Sequence, residues 1–262
     1  MNHDPTVIQS ALTGLARWAE QSQMRIQPTK CAVLYLGNNN PKSYYYFQQQ
    51  IVPATDIVID LGVIMNSTLT FDNHIESTIR KATMASNLIL RIFKKNHSFM
   101  MQMFKTYVRS RLEYATQIWN PHKIGLIQRI ENVQRRFTRK LPLLKNMSYP
   151  NRLYLLNTDS LELRRIHLDL IFLYKLLHKK FDFDPMEIFA FKNDKRTRGN
   201  SWSLVGKRSR LDKHKYFFTQ RMVNIWNSLP EETVSAQTIS EFKKLIKAID
   251  FGLFLRGRGL DV

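Results

Sequence analysis

The hydrophobic period of this chain changes once, near Phe71, and that change limits the fold more than any other feature. From Phe71 onward apolar residues recur every three or four positions, with Ile75, Ile79, Ala82, Leu88, Ile89 and Ile92 in one stripe and Phe99, Met103, Phe104, Tyr107 and Val108 in the next. Pro121, Pro142 and Pro150 divide the next stretch into helices expected at 123–140 and 152–156, with another over 161–180 that carries Leu163, Ile166, Leu170, Leu173, Tyr174 and Leu177 on its apolar face. The pattern predicts a helical bundle.

Before Phe71 the signals are mixed. Asp4 ahead of Pro5 opens an amphipathic helix through Val7, Ile8, Leu12, Leu15 and Trp18. Short apolar runs at Cys31–Leu36, Tyr44–Phe47 and Ile57–Ile64 read as strands of a small sheet whose edge needs a further partner. Residues 193–215 are polar, basic and Gly-containing, which predicts a loop with a short hairpin around Trp202, Leu204 and Val205, and helices resume over 216–227 and 239–249 before a Gly-rich tail. The expected class is therefore mainly α: an incomplete α+β unit over 1–68, a helical bundle over 69–190, and a basic loop with C-terminal helices over 191–262.

Forty Lys and Arg against 21 Asp and Glu give a formal charge of +19, spread along the chain, which favours a polyanionic partner. The single cysteine, Cys31, excludes an internal disulfide and a Cys-rich zinc knuckle within these residues and reads as a packing residue. Apolar runs stop well short of membrane-spanning length, so the expectation is an intracellular, soluble chain without membrane contact, nuclear or cytoplasmic.

Catalytic patterns are weak. Asp182 and Asp184 sit two apart, but Asp184 before Pro185 reads as a helix cap rather than half of a metal-binding pair. The seven histidines show no metal-ligand spacing, and no nucleophile-elbow sequence is present. No metal and no cofactor are expected.

Two basic clusters carry the binding hypothesis. Arg129, Arg135, Arg136, Arg139 and Lys140 fall on and around one helix whose other face bears Ile127, Ile130, Val133 and Phe137, as a phosphate-tracking ridge requires. Lys192, Lys195, Arg196, Arg198, Lys207, Arg208, Arg210, Lys213 and Lys215 surround Trp202, the mixture of charge and stacking surface found in single-strand binders, although Trp202 serves equally well as a pin holding the loop to the bundle. A nuclear-localisation patch is a further reading of the same run. Trp119, Trp226 and Tyr114 are expected in the core. The three tyrosines Tyr44–Tyr46 read as an edge strand.

An ordered set of short motifs resembles one family. Leu61-Gly62-Val63, Leu112-Glu113-Tyr114-Ala115, Trp119-Asn120-Pro121, Glu131 with Val133-Gln134-Arg135-Arg136, Leu161-Glu162 with Arg164-Arg165, Thr197-Arg198-Gly199, and Trp226-Asn227-Ser228-Leu229-Pro230 with Phe242-Lys243 are similar, in order and spacing, to the region after the polymerase motifs in jockey-like LINE reverse transcriptases of non-LTR retrotransposons. The resemblance implies that the first seventy residues are the end of a palm, with Lys30 matching a lysine that assists nucleotide addition and Leu61-Gly62-Val63 in a primer-grip strand that Tyr44–Tyr46 would flank. The rest would be a thumb and its extension, with Arg164 and Arg165 among the nucleic-acid contacts.

The family's Tyr/Phe-x-Asp-Asp motif and earlier metal-binding aspartate would fall before Met1. Two-metal nucleotidyl transfer needs such convergent carboxylates. The expectation is a fragment that binds RNA, single-stranded DNA or a template–primer duplex without polymerising alone, Mg2+ being needed only in a complete polymerase. Two alternatives stand beside it. One is the tail of an active enzyme whose palm comes from a longer product or partner chain; the other is a non-catalytic interaction module that pairs through the open palm edge.

Overall fold

The computed structural model describes residues 4–37, 39–93, 97–192 and 200–257. The chain is mainly α-helical, as its hydrophobic period requires, and divides into two compact units, Met1–His74 and Ile75–Val262.

In the first unit, helix α1 (Pro5–Gln21) begins where Asp4 accepts a hydrogen bond from the Thr6 amide at 2.9 Å, with Pro5 in the first turn where its missing N–H costs nothing. Two hairpins come after it, β1 (Tyr46–Phe47) with β2 (Gln50–Ile51) and β3 (Ile57–Asp60) with β4 (Val63–Asn66), both antiparallel. The Gln9 side chain holds α1 to β1, donating to the Tyr46 carbonyl at 2.8 Å and accepting from the Tyr46 amide at 2.9 Å. Ala19, Tyr45, Phe47, Val52 and Val63 are buried, while Val7, Leu15, Trp18, Ile57 and Ile59 are exposed.

Two expectations are corrected by this unit. The run 57–64 is not one strand: Leu61 and Gly62 form its turn, with φ of 45° and 84°, a left-handed pair that sends the chain back on itself. Of the three residues expected in a primer-grip strand, only Val63 is in a strand; Leu61 is 82% exposed at the tip. The predicted strand 31–36 is reduced to a parallel bridge between Val33 and Ala54. Val33 donates to the Pro53 carbonyl and accepts from the Thr55 amide, both at 2.9 Å, and Pro53 has no N–H with which to extend the ladder.

The second unit opens with α2 (Asp72–Ile92), whose first turn straddles the unit boundary. Helix α3 (His97–Met103) runs through a π-helical turn at Phe104–Arg109 into α4 (Ser110–Glu113), placing Phe104, Val108 and Leu112 in the core. Then come α5 (Thr116–Trp119), α6 (Ile124–Arg139), α7 (Tyr149–Leu155) and α8 (Leu161–Leu177). After an antiparallel bridge between Phe191 and Leu204, α9 (Asp212–Lys215), α10 (Phe218–Asn227), α11 (Glu231–Val234) and α12 (Ile239–Ala248) complete it. A core running from Ile166 on α8 to Phe251 beyond α12 makes the C-terminal helices part of one packed body with α8.

Buried polar groups fix how α6 and α8 meet. Glu131 of α6 accepts from the amides of Leu161 and Glu162 at 3.1 and 3.2 Å, so a carboxylate from a distant helix caps the positive end of α8. Tyr149 donates to the same carboxylate, and Gln134 donates to Tyr149 and to the Asp159 carbonyl, each at 3.0 Å. Burial pushes the Glu131 carboxyl above its ordinary range despite the Tyr149 hydrogen bond and the nearby Arg165 charge.

Candidate nucleic-acid interface

Helix α6 separates its residues cleanly. Ile127, Ile130, Val133 and Phe137 are buried, with the Phe137 ring stacked on Phe104 at 4.5 Å. Arg129, Arg136 and Lys140, spaced seven and four apart, emerge on another face and form one wall of a groove of about 440 Å³. The opposite wall is α2, where Thr83, Ser86 and Asn87 supply hydroxyl and amide groups between the flanking Ile79 and Leu90. Cations along one side and neutral hydrogen-bonding groups along the other match the needs of a phosphate backbone, whose oxygens accept from both.

The basic residues of this helix do not act alike. Arg136, Arg139 and Lys140 are exposed. Arg129 is also exposed, but its guanidinium forks onto both carboxylate oxygens of Glu76 on α2, closing one end of the groove. Arg135 lies over the Tyr149 ring at 4.8 Å, with Arg152 on that ring at 5.4 Å, so it belongs to the α6–α7 contact rather than to the groove.

Arg164 and Arg165 separate further. Arg164 pairs with Glu113 of α4, its second terminal nitrogen 3.0 Å from Oε2, and Arg109 stands 3.5 Å from the same carboxylate. Arg165 is 1% exposed and so is not a surface contact for nucleic acid, which corrects the expectation. Its position on α8, four residues after buried Leu161 and four before buried Asp169, turns it inward.

In the second basic cluster, Lys195, Arg196 and Arg198 lie outside the described residues, as does Thr197-Arg198-Gly199. Lys192, Lys207, Arg208, Arg210, Lys213 and Lys215 are exposed. Trp202 is the pin: its ring stacks on His178 at 4.5 Å and meets Phe191 edge-on at 6.1 Å, while its carbonyl accepts from Trp226 Nε1 at 3.0 Å. Asn200, two residues before Trp202, donates to the Trp226 and Leu229 carbonyls at 3.1 and 3.2 Å. A ring face so occupied is not offered to a base.

Trp119 and Trp226 are core residues as expected, whereas Tyr114 is 54% exposed, which corrects the expectation; its carbonyl accepts from Trp119 Nε1 at 2.7 Å. Lys30 is exposed in a 3-10 turn. Tyr44 and Tyr46 are exposed and Tyr45 is buried, but only Tyr46 lies in a strand, β1, so the strand expected over Tyr44–Phe47 is shortened to Tyr46–Phe47. Asp184 accepts from the Met186 amide at 3.1 Å, the cap read from its place before Pro185. The α2 wall of Thr83, Ser86 and Asn87 is not singled out by the sequence, where small polar residues beside an apolar stripe read as a solvated helix face. Among the described residues, no group of three or more His, Cys, Asp or Glu side chains is placed to hold a metal ion, and no helix is long and apolar enough to cross a membrane.

The chain is similar to an uncharacterized protein of Caenorhabditis elegans, at 28% identity over 140 residues that cover 52% of this chain and 70% of that protein. No family model matches the chain, and no solved structure matches it.

Proposed function

We propose that this protein binds nucleic acid through the phosphate backbone, seated in the groove between α2 and α6, and that these residues correspond to the thumb side of a non-LTR retrotransposon reverse transcriptase. The observation that carries the reading is the row of Arg129, Arg136 and Lys140 facing the hydroxyl and amide wall of Thr83, Ser86 and Asn87. The formal charge of +19 favours a polyanion over any neutral partner and adds long-range steering. The lineage rests on the ordered motifs from Leu61-Gly62-Val63 to Phe242-Lys243. RNA, single-stranded DNA and a template–primer duplex are the partner classes; phosphate contacts position them and read little sequence.

Hydrogen exchange of the full chain with and without a template–primer duplex tests this reading. Protection of α2 over residues 79–90 and of α6 over 129–140 is expected; protection confined to other helices would overturn it.

A further inference from the structure

A second cavity, of about 630 Å³, opens beside α8 and α10 and shares no lining residue with the α2–α6 groove. Helix α6 stands between the two. Ile127 lines the cavity, and at about 100° of rotation per residue Arg129, Arg136 and Lys140 lie roughly 200°, 180° and 220° round the helix from it, so cavity and groove open on opposite sides of α6.

Lys207, Arg208, Lys215 and Arg256 are exposed and together form a rim on this cavity. They come from three segments far apart in sequence, and specific contacts hold each segment in place. The Lys207 amide donates to Gln220 Oε1 of α10 at 3.0 Å. Glu162 on α8 accepts from the Arg256 and Gly257 amides at 2.8 and 3.1 Å, which fixes the C-terminal segment against the start of α8. The Lys215 ammonium and the Arg256 guanidinium lie 5.3 and 4.7 Å from the centre of the Tyr216 ring, a cation–π contact for each.

No carboxylate of the described residues pairs with any of the four rim cations. The two carboxylates of the cavity are committed elsewhere: Asp169 is buried and accepts from Arg221 at 2.8 Å, and Glu162 is held by the two backbone amides. Bringing like charges together costs free energy that salt screens only in part. Four of them converging on one opening favour a polyanion, and a nucleic-acid strand supplies closely spaced phosphates.

We propose that the second unit holds two nucleic-acid segments at once, one in the α2–α6 groove and another by its phosphates on the rim of Lys207, Arg208, Lys215 and Arg256. The inference rests on phosphate capture by the groove and adds a separate surface to it. A helix about 10–12 Å across divides the sites, so one short stretch of backbone does not fill both, and the protein bridges two strands or two distant segments of one. The rim takes phosphates rather than stacked bases, since the Tyr216 ring already has His122 flat against it at 4.5 Å.

Strand bridging tests this. Oligothymidylate, which does not pair with itself, is tethered to beads, loaded with the full chain, washed, and offered free dye-labelled oligothymidylate at low salt. The parent should retain the free strand. Lys207→Glu with Arg208→Glu should leave the protein on the beads through the groove yet cut retention of the free strand at least about tenfold, with the helical circular-dichroism signal unchanged. Lys207→Ala with Arg208→Ala should give a smaller loss in the same direction. Arg136→Ala with Lys140→Ala should also lower retention, while the rim keeps that variant on the beads. Parental bridging by the rim variants would overturn the proposal and leave the groove reading intact, as would a parent that binds the tethered strand but retains no free one. Parental bridging by the groove variant would instead place the failure in the groove reading, and the two-segment inference would fall with it. Polyglutamate that displaces the free strand as readily as unlabelled oligothymidylate does would reduce the rim to a general anion patch and overturn its assignment to nucleic acid.

Discussion

Replacing Arg136 and Lys140 together by alanine removes the two groove cations that no carboxylate among the described residues holds, leaving Arg129 committed to Glu76. Each phosphate contact adds about 0.9 to the slope of log affinity against log salt for a duplex, so two contacts contribute about 1.8. Over a fourfold rise from about 50 to about 200 mM salt, that slope corresponds to about a twelvefold change in affinity. The variant should therefore bind a template–primer duplex much more weakly than the parent at low salt, and the gap should narrow by about tenfold at the upper salt value. Fluorescence anisotropy across the series measures this directly. Lys243→Ala with Lys244→Ala, both exposed on α12, removes the same charge elsewhere and serves as control. If the control narrows the gap equally, or the groove variant leaves the slope unchanged, charge acts only globally and the groove reading fails.

Glu76→Gln should release Arg129 into the groove, tightening duplex binding and steepening the salt slope by up to about 0.9, with a stability cost under about 1 kcal/mol because the pair is exposed; weaker binding would contradict this. Trp202→Ala should lower stability in chemical denaturation by about 2–3 kcal/mol, from lost packing on a half-buried ring, yet leave single-strand affinity of the folded protein unchanged. A loss of affinity without a loss of stability would make Trp202 a base-stacking residue instead. Glu131→Ala should cost about 3–5 kcal/mol, since it uncaps α8, strands the Tyr149 hydroxyl and removes a countercharge of buried Arg165; a change under about 1 kcal/mol would refute that network. Burial lowers the pKa of His178, stacked between Tyr174 at 4.1 Å and Trp202 at 4.5 Å. A depressed folded-state pKa gives stability that is present above the unfolded value of 6.5 and is lost as pH falls through the folded value. His178→Phe should therefore flatten the decline in unfolding free energy between about pH 7 and pH 5, and an unchanged decline would count against it.

The sequence shows its helices because proline and capping residues carry their own stereochemistry: Asp4, Ser160 and Asp184 each accept an amide at the start of a helical turn. It hides the β3–β4 turn because Leu61 sits in a mostly apolar stretch broken only by Asp60 and Gly62, and takes a positive φ that leucine rarely adopts. Arg164 and Arg165 are chemically identical neighbours with opposite fates. Position decides between them, since Leu161, Arg165 and Asp169 share one line of α8 that turns inward. Asp169 gives a signal that could have been read, a carboxylate four residues after an arginine on a buried stripe. The α2 wall is harder to read, because small polar residues beside an apolar stripe look like any solvated face until α6 is packed opposite.

The most direct test of phosphate capture is binding of the full chain to single-stranded RNA, single-stranded DNA and a template–primer duplex by anisotropy over a salt series. Phosphate capture predicts binding to at least one of the three with a steep negative salt slope, carried in part by Arg136 and Lys140. No binding to any of them at low salt would contradict it.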